Sequence, residues 1–211
     1  MNCYSAINGS TRLAIAGLVS LLLLCSYPKI ASAATLSQEQ LHNLALTIII
    51  AKQRKLDPAL LAALVWTESS ARAFARSSID DGTKSAVGLG QITLPALVDR
   101  GYSATDMELM TIPIANLVAV SSYLNYLLYR YKQYGNFAYI YALMAFNAGP
   151  TRVNTWIDGH LNMTALDEEN FRKIPFSETR NHLKRTLSYW AAISTCQAIS
   201  TRQCLIRVFG D

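Results

Sequence analysis

The stretch LAALVWTESSARAFARSSIDDGTKSAVGLGQIT, Leu61–Thr93, decides how the rest of the chain is read. It opens as an apolar helix, sets Glu68 near that helix's end, and passes through a polar loop into Gly88-Leu89-Gly90-Gln91. Asp57-Pro58 just before it is a helix start: the Asp side chain caps free backbone N–H groups, and proline fits the first helical position. Leu61, Leu64 and Val65 recur at helical spacing, and Glu68 falls four residues after Leu64. That places a carboxyl group on the face that should be buried. Desolvation and the negative end of the helix dipole both favour its protonated form, the state a general acid needs. The alternative is a glutamate of the last turn that reaches out to solvent, and spacing alone leaves both open.

Glu68-Ser69, then Ser77, then Gly88–Gln91 (GLGQ) resemble the first half of the soluble lytic transglycosylase domain, a lysozyme-like family that cleaves peptidoglycan. The resemblance continues at Ala145–Gly149 (AFNAG, where the family usually reads AYNAG) and at Ile174–Arg180 (IPFSETR). No single motif is specific, but four in the right order span Leu56 to about Trp190. The resemblance implies an all-α, lysozyme-like single domain and one catalytic glutamate. In that family the Glu protonates the glycosidic oxygen. It then takes a proton from the C6 hydroxyl of the same N-acetylmuramic acid, closing a 1,6-anhydro end without adding water.

The first 33 residues read as an export signal. Arg12 is the positive flank, Leu13–Leu24 (LAIAGLVSLLLL) is a short apolar core, and Ala31-Ser32-Ala33 offers a cleavage site before Ala34. A permanent membrane helix needs roughly 20 apolar residues, and Pro28 and Lys29 interrupt too soon. A lipoprotein anchor at Cys25 is a poor fit, because Leu24 precedes it. The expected mature chain, 34–211, has room for a single core. The full chain carries a net charge of +5. Losing Arg12 and Lys29 with the signal leaves a mildly basic chain without the clustering of a nucleic-acid footprint. Only Cys196 and Cys204 remain, eight apart, and an oxidising periplasm favours their pairing. The other reading is two free thiols, since spacing does not supply bond geometry.

Helical patterning runs through the mature chain. Ser37 and Gln40 form a capping box beside a Leu36–Leu41 staple, and Leu41, Leu44, Ile48 and Ala51 follow on one face of a helix over 38–53. The Glu68 helix spans 58–69. A short helix is expected over Gln91–Arg100, interrupted near Pro95. Pro113 opens a long helix to about Tyr134, and Gly135 stops it. Further helices are expected over Phe137–Asn147 and Ser177–Thr195, with a short turn at Thr151–Ile157 between them. A small antiparallel turn fits Arg76–Val87, where Asp81-Gly82 is a hairpin-like signal. The tail from about 196 has no reading beyond its cysteines.

The residues matched to the family motifs set the site expectations. Ser77 takes the place of a serine that contacts the sugar N-acetyl group or the acid, with Ser78 one residue away as the competing assignment. Gln91 lines the cleft and hydrogen-bonds substrate, unless it faces water at a helix start. Asn147 belongs to the third motif. Glu178 matches a second glutamate that shapes the surroundings of the acid; its other reading is a helix N-terminal charge, with Ser177 as cap. Gly88 and Gly90 let the backbone approach a sugar closely or are ordinary turn glycines. Two departures stand out. Phe146 replaces the family's Tyr and lacks its hydroxyl, a loss of about 1 kcal/mol for an ordinary hydrogen bond. His182 replaces a Tyr commonly found two after the Arg. The expectation is slower chemistry or a compensating donor such as His182, which is otherwise a surface helix residue.

A glycosidase of the usual kind has a second carboxylate, and Asp80 and Asp81 keep hydrolysis by a lysozyme-type muramidase as the rival reading. The other rival, suggested by Phe146, is a catalytically weak wall-binding or assembly protein. The three histidines are scattered and the cysteines lack ligand spacing, so neither metal nor cofactor is expected. Expected partners are peptidoglycan strands and, from small size, an envelope secretion, conjugation or pilus machine that a monomeric, periplasmic wall-opener would serve.

Overall fold

The computed structural model describes residues 36–77, 85–196 and 200–210. The export signal, Ser78, Asp80 and Asp81 lie outside the described residues. In chain order the helices are α1 (Gln38–Gln53), α2 (Pro58–Ser69), α3 (Leu94–Val98), α4 (Pro113–Arg130), α5 (Ala138–Ala148), α6 (Pro150–Asp158), α7 (Glu168–Arg172), α8 (Ser177–Ser194) and α9 (Thr201–Phe209). Three two-residue strands, β1 (Arg76–Ser77), β2 (Ala86–Val87) and β3 (Ile92–Thr93), form an antiparallel sheet in sequence order. Arg76 pairs with Val87 and Val87 with Ile92. The antiparallel pairing expected within 76–87 is therefore present, and it extends by one strand.

α2 is the centre of the molecule. Asp57 Oδ1 accepts from the Ala59 N–H at 2.8 Å and Pro58 opens the helix, as the start signal predicts. Every residue from Leu60 to Val65 is at most 3% exposed. Leu60, Leu61, Ala63 and Leu64 join the larger core with α4, α5 and α8. Ala62 and Val65 join a second core with Leu44 and Ile50 of α1 and Leu205 and Phe209 of α9. A helix apolar on all sides is stable only when enclosed. Each large side chain buried in this way contributes about 1.5–3 kcal/mol before the cost of ordering it.

Several boundaries differ from expectation for physical reasons. Gln91 adopts a left-handed backbone (φ 45°), so the chain pairs as β3 before α3 begins. Pro95 then sits in the first turn of α3, where its missing N–H costs nothing, and it does not interrupt the helix. α4 ends at Arg130, and a 3-10 segment, Lys132–Phe137, carries the chain on through Gly135 at φ 55°. The expected turn after Pro150 is a full helix, α6. Phe176, not Ser177, occupies the cap position of α8.

The C-terminal tail is also a helix. α9 is opened by a Ser200–Gln203 capping box. Phe209 stacks on Trp66 of α2 with ring centroids 4.4 Å apart and lies 5.3 Å from Tyr189 of α8. Cys196 and Cys204 are joined, with Cα atoms 5.6 Å apart. The link fastens α9 to the end of α8, and a short closed loop of this kind stabilises by roughly 2–3 kcal/mol through the unfolded chain. The double substitution Cys196→Ser/Cys204→Ser is expected to lower the unfolding free energy by about that amount, read from urea denaturation.

Candidate active site

Glu68 is the penultimate residue of α2, and the chain turns sharply after it. Ser69 Oγ donates to the Leu89 carbonyl at 2.7 Å, tying the helix end to the glycine-rich loop. Ser70 and Ala71 follow at φ 53° and 58°, a left-handed conformation that costs non-glycine residues roughly 1–2 kcal/mol each. α1 supplies the compensation. Gln40 Nε2 donates to the Ser70 carbonyl at 3.0 Å, and buried Asn43 donates to the Ala71 carbonyl at 2.9 Å.

The loop Gly88–Gln91 is fixed by α4. Asn116, fully buried, accepts from the Gly90 N–H and donates to the Val87 and Met110 carbonyls, each at 2.9 Å. A Cβ on Gly88 would lie 2.1 Å from the Met110 carbonyl oxygen, and one on Gly90 would lie 2.5 Å from Val120 Cγ2. Both glycines are thus required by close packing on α4, a structural demand separate from any approach to a sugar. Gln91 Nε2 donates to the Ala75 and Gly88 carbonyls at 2.9 and 3.0 Å. Its amide nitrogen braces the loop, and its oxygen has no partner among the described residues.

α8 brings the remaining groups. His182 Nε2 lies 2.7 Å from Glu68 Oε1, with the two side chains 4% and 14% exposed. His182 is not the surface residue of the alternative reading: it is buried against the catalytic candidate. One turn further on, Thr186 Oγ1 lies 3.1 Å from Thr67 Oγ1, so α2 and α8 meet along a polar seam. One turn back, buried Thr179 donates to Asn147 Oδ1 at 2.7 Å, which docks the end of α5 beside the same face. Phe146, half-buried, packs on Tyr123 at 5.6 Å between ring centroids. Burial, then the charge of Asp99, holds the Tyr123 hydroxyl protonated well above the ordinary tyrosine range.

Two expected site residues are exposed and make no hydrogen bond to this cluster. Ser77 is exposed in β1 opposite Ala86. Glu178 is exposed in the first turn of α8, where its charge suits the helix dipole. Neither makes a hydrogen bond to Glu68. The middle residue of Glu178-Thr179-Arg180 is the one that reaches inward. Arg180 donates to the Ile174 and Pro175 carbonyls and closes the turn into α8. The sequence does hold a signal for Asn116, because it falls on the apolar stripe of Val120, Tyr123 and Leu127. A polar residue in such a stripe needs buried partners. Thr179 falls in the same way on the stripe of Leu183, Leu187 and Trp190.

A half-buried carboxyl with one oxygen held and the other without a partner among the described residues is equipped to give and take a proton. The profile of the transglycosylase SLT domain matches residues 45–165. The chain belongs to that family. The soluble lytic murein transglycosylase of Salmonella typhimurium is 42% identical over 80 residues, covering 36% of this chain and 11% of the relative. That of Escherichia coli K12 is 40% identical over 92 residues, covering 42% and 13%. Among solved structures, an inactive mutant of the lytic transglycosylase Slt from Pseudomonas aeruginosa aligns with TM-score 0.57 and 27% identity over 71% of this chain. The 70 kDa soluble lytic transglycosylase of Escherichia coli aligns with TM-score 0.55 and 28% identity over 69%. The chain spans 23% of each of those solved chains. The all-α, lysozyme-like fold expected from sequence is the one observed. The family match ends before α8, so His182 and Thr179 enter the site from outside the matched segment.

The contact between Gly90 and Val120 gives a direct test of the loop. Gly90→Ala is expected to destabilise by about 1–3 kcal/mol through overpacking. Adding Val120→Ala should recover part of that loss, so the double variant unfolds later than the two single effects predict when combined.

Proposed function

We propose that this protein is a peptidoglycan lytic transglycosylase that cleaves the β-1,4 bond between N-acetylmuramic acid and N-acetylglucosamine. The observation that carries the reading is the Glu68 carboxyl itself, half-buried at the end of α2 with a single oxygen engaged among the described residues. As an acid, Glu68 delivers its proton to the glycosidic oxygen while positive charge develops at C1. As a carboxylate, it takes the proton of the C6 hydroxyl of the same muramic acid. That hydroxyl closes on C1 to form the 1,6-anhydro end. Each transfer needs the reacting oxygen within hydrogen-bond reach of the carboxyl, and both use the same site in turn. Gln91, Phe146 and Asn147 supply polar and apolar contacts to the glycan, with Ser77 and Glu178 at its exposed margins.

The same reading puts the enzyme where the glycan is, in the periplasm. The apolar leader Leu13–Leu24 and the Cys196–Cys204 pair support export to an oxidising compartment. Local wall opening for a secretion, conjugation or pilus machine, by a monomer, is the use we propose. Failure to co-purify with any envelope assembly would count against that part alone.

Mass spectrometry of fragments released from purified peptidoglycan by residues 34–211 tests the activity. Muropeptides one water lighter than hydrolytic products are expected, with Glu68→Gln lowering their rate by roughly 10²–10⁴-fold. Full-mass reducing ends would make the enzyme a hydrolase and direct attention to Asp80 and Asp81. Binding without release would favour the wall-binding reading.

A further inference from the structure

The contact between Glu68 and His182 carries more information than its distance. His182 Nε2 is 2.7 Å from Glu68 Oε1. The other ring nitrogen, Nδ1, is buried and has no hydrogen-bond partner among the described residues. A neutral imidazole holds one N–H and one bare nitrogen, and an imidazolium holds two N–H groups. A buried N–H without an acceptor is the rarer and more costly defect; a bare acceptor is the milder one. The ring proton therefore belongs on Nε2, and Nδ1 stays bare.

We propose that His182 is a neutral, donor-only positioning residue whose Nε2–H fixes Glu68 Oε1, so that Oε2 alone carries the catalytic proton. Accepting a proton from Glu68 at Nε2 would leave the ring proton on Nδ1, where no described residue accepts it. His182 is thus neither a relay nor a second base. In the acid state, Oε1 is the carbonyl oxygen of the carboxyl and the proton sits on Oε2. After that proton has gone to the leaving oxygen, the same Nε2–H stabilises the carboxylate without changing its own protonation. The Oε2 atom makes no hydrogen bond among the described residues, which leaves it for the substrate oxygens. The backbone that carries the ring is tied to α2: Thr186 Oγ1 donates to the His182 main-chain carbonyl at 2.9 Å and also reaches Thr67. The catalytic part of this assignment rests on the proposed transglycosylase reading; the tautomer does not.

Two measurements test it. The ¹⁵N spectrum of histidine-labelled protein without substrate, at neutral pH, should show His182 protonated at Nε2 and unprotonated at Nδ1. A proton on Nδ1, in either the neutral or the charged ring, overturns the proposal. The second uses kinetics on a soluble glycan oligomer. The amide nitrogen of Gln falls the same number of bonds from Cα as Nε2, whereas that of Asn falls at Nδ1. His182→Leu and His182→Asn should lower kcat by about ten- to a hundredfold with KM little changed, and His182→Gln should recover most of that loss. A Gln variant as slow as Leu, with its thermal transition intact, overturns the positioning role, as does a Leu variant of undiminished kcat. An inactive wild-type enzyme would defeat the transglycosylase reading, while the spectrum would still decide the tautomer.

Discussion

A helix with no solvent face governs this molecule. From Leu60 to Val65, α2 is enclosed by α4, α5 and α8 on one side and by α1 and α9 on the other. Such a helix has little freedom to rotate or slide, because any movement opens cavities in two cores at once. Its end is the only place where it can present a polar group. Glu68 stands there, so the position of the carboxyl is set by packing that begins about two turns away. The loop Gly88–Gln91 and the face of α8 are arranged around that fixed end.

The supporting contacts are long-range and polar. Glu68 meets His182 across 114 positions of sequence, and Ser69 meets Leu89 across 20. The strained turn at Ser70 and Ala71 persists because Gln40 and Asn43 of α1 hold both carbonyls. Backbone strain beside a catalytic candidate is a recurring pattern, and it survives only when neighbouring elements over-determine it. Here the determination comes from α1, which carries none of the candidate site residues.

Much of this was legible in the chain. Asp57-Pro58, the Ser37–Gln40 box and the Leu61–Leu64 spacing are local signals, and the helices they announce have the bounds expected. The carboxyl at the end of α2 followed from the same periodicity. What escaped were features decided by distant partners. A left-handed Gln91 cannot be read from its neighbours alone, since one of the bonds that hold its side chain goes to Ala75, 16 positions away. The burial of His182 depends on α8 packing against α2, which helical spacing along α8 alone does not specify. α9 was obscured because nine residues with four polar side chains look like a tail until Trp66 and Tyr189 are placed beside Phe209.

The disulfide has a topological consequence. It brackets the segment 197–199, joining the end of α8 to the first turns of α9. A protease that cuts the chain within that bracket severs the backbone yet leaves both fragments covalently joined. The outer wall of α2 then remains tethered at high local concentration to the surface it covers. Nicking at this point is thereby converted from the loss of an element into a change of connectivity. The helix that carries Glu68 keeps its enclosure with the main chain in two pieces.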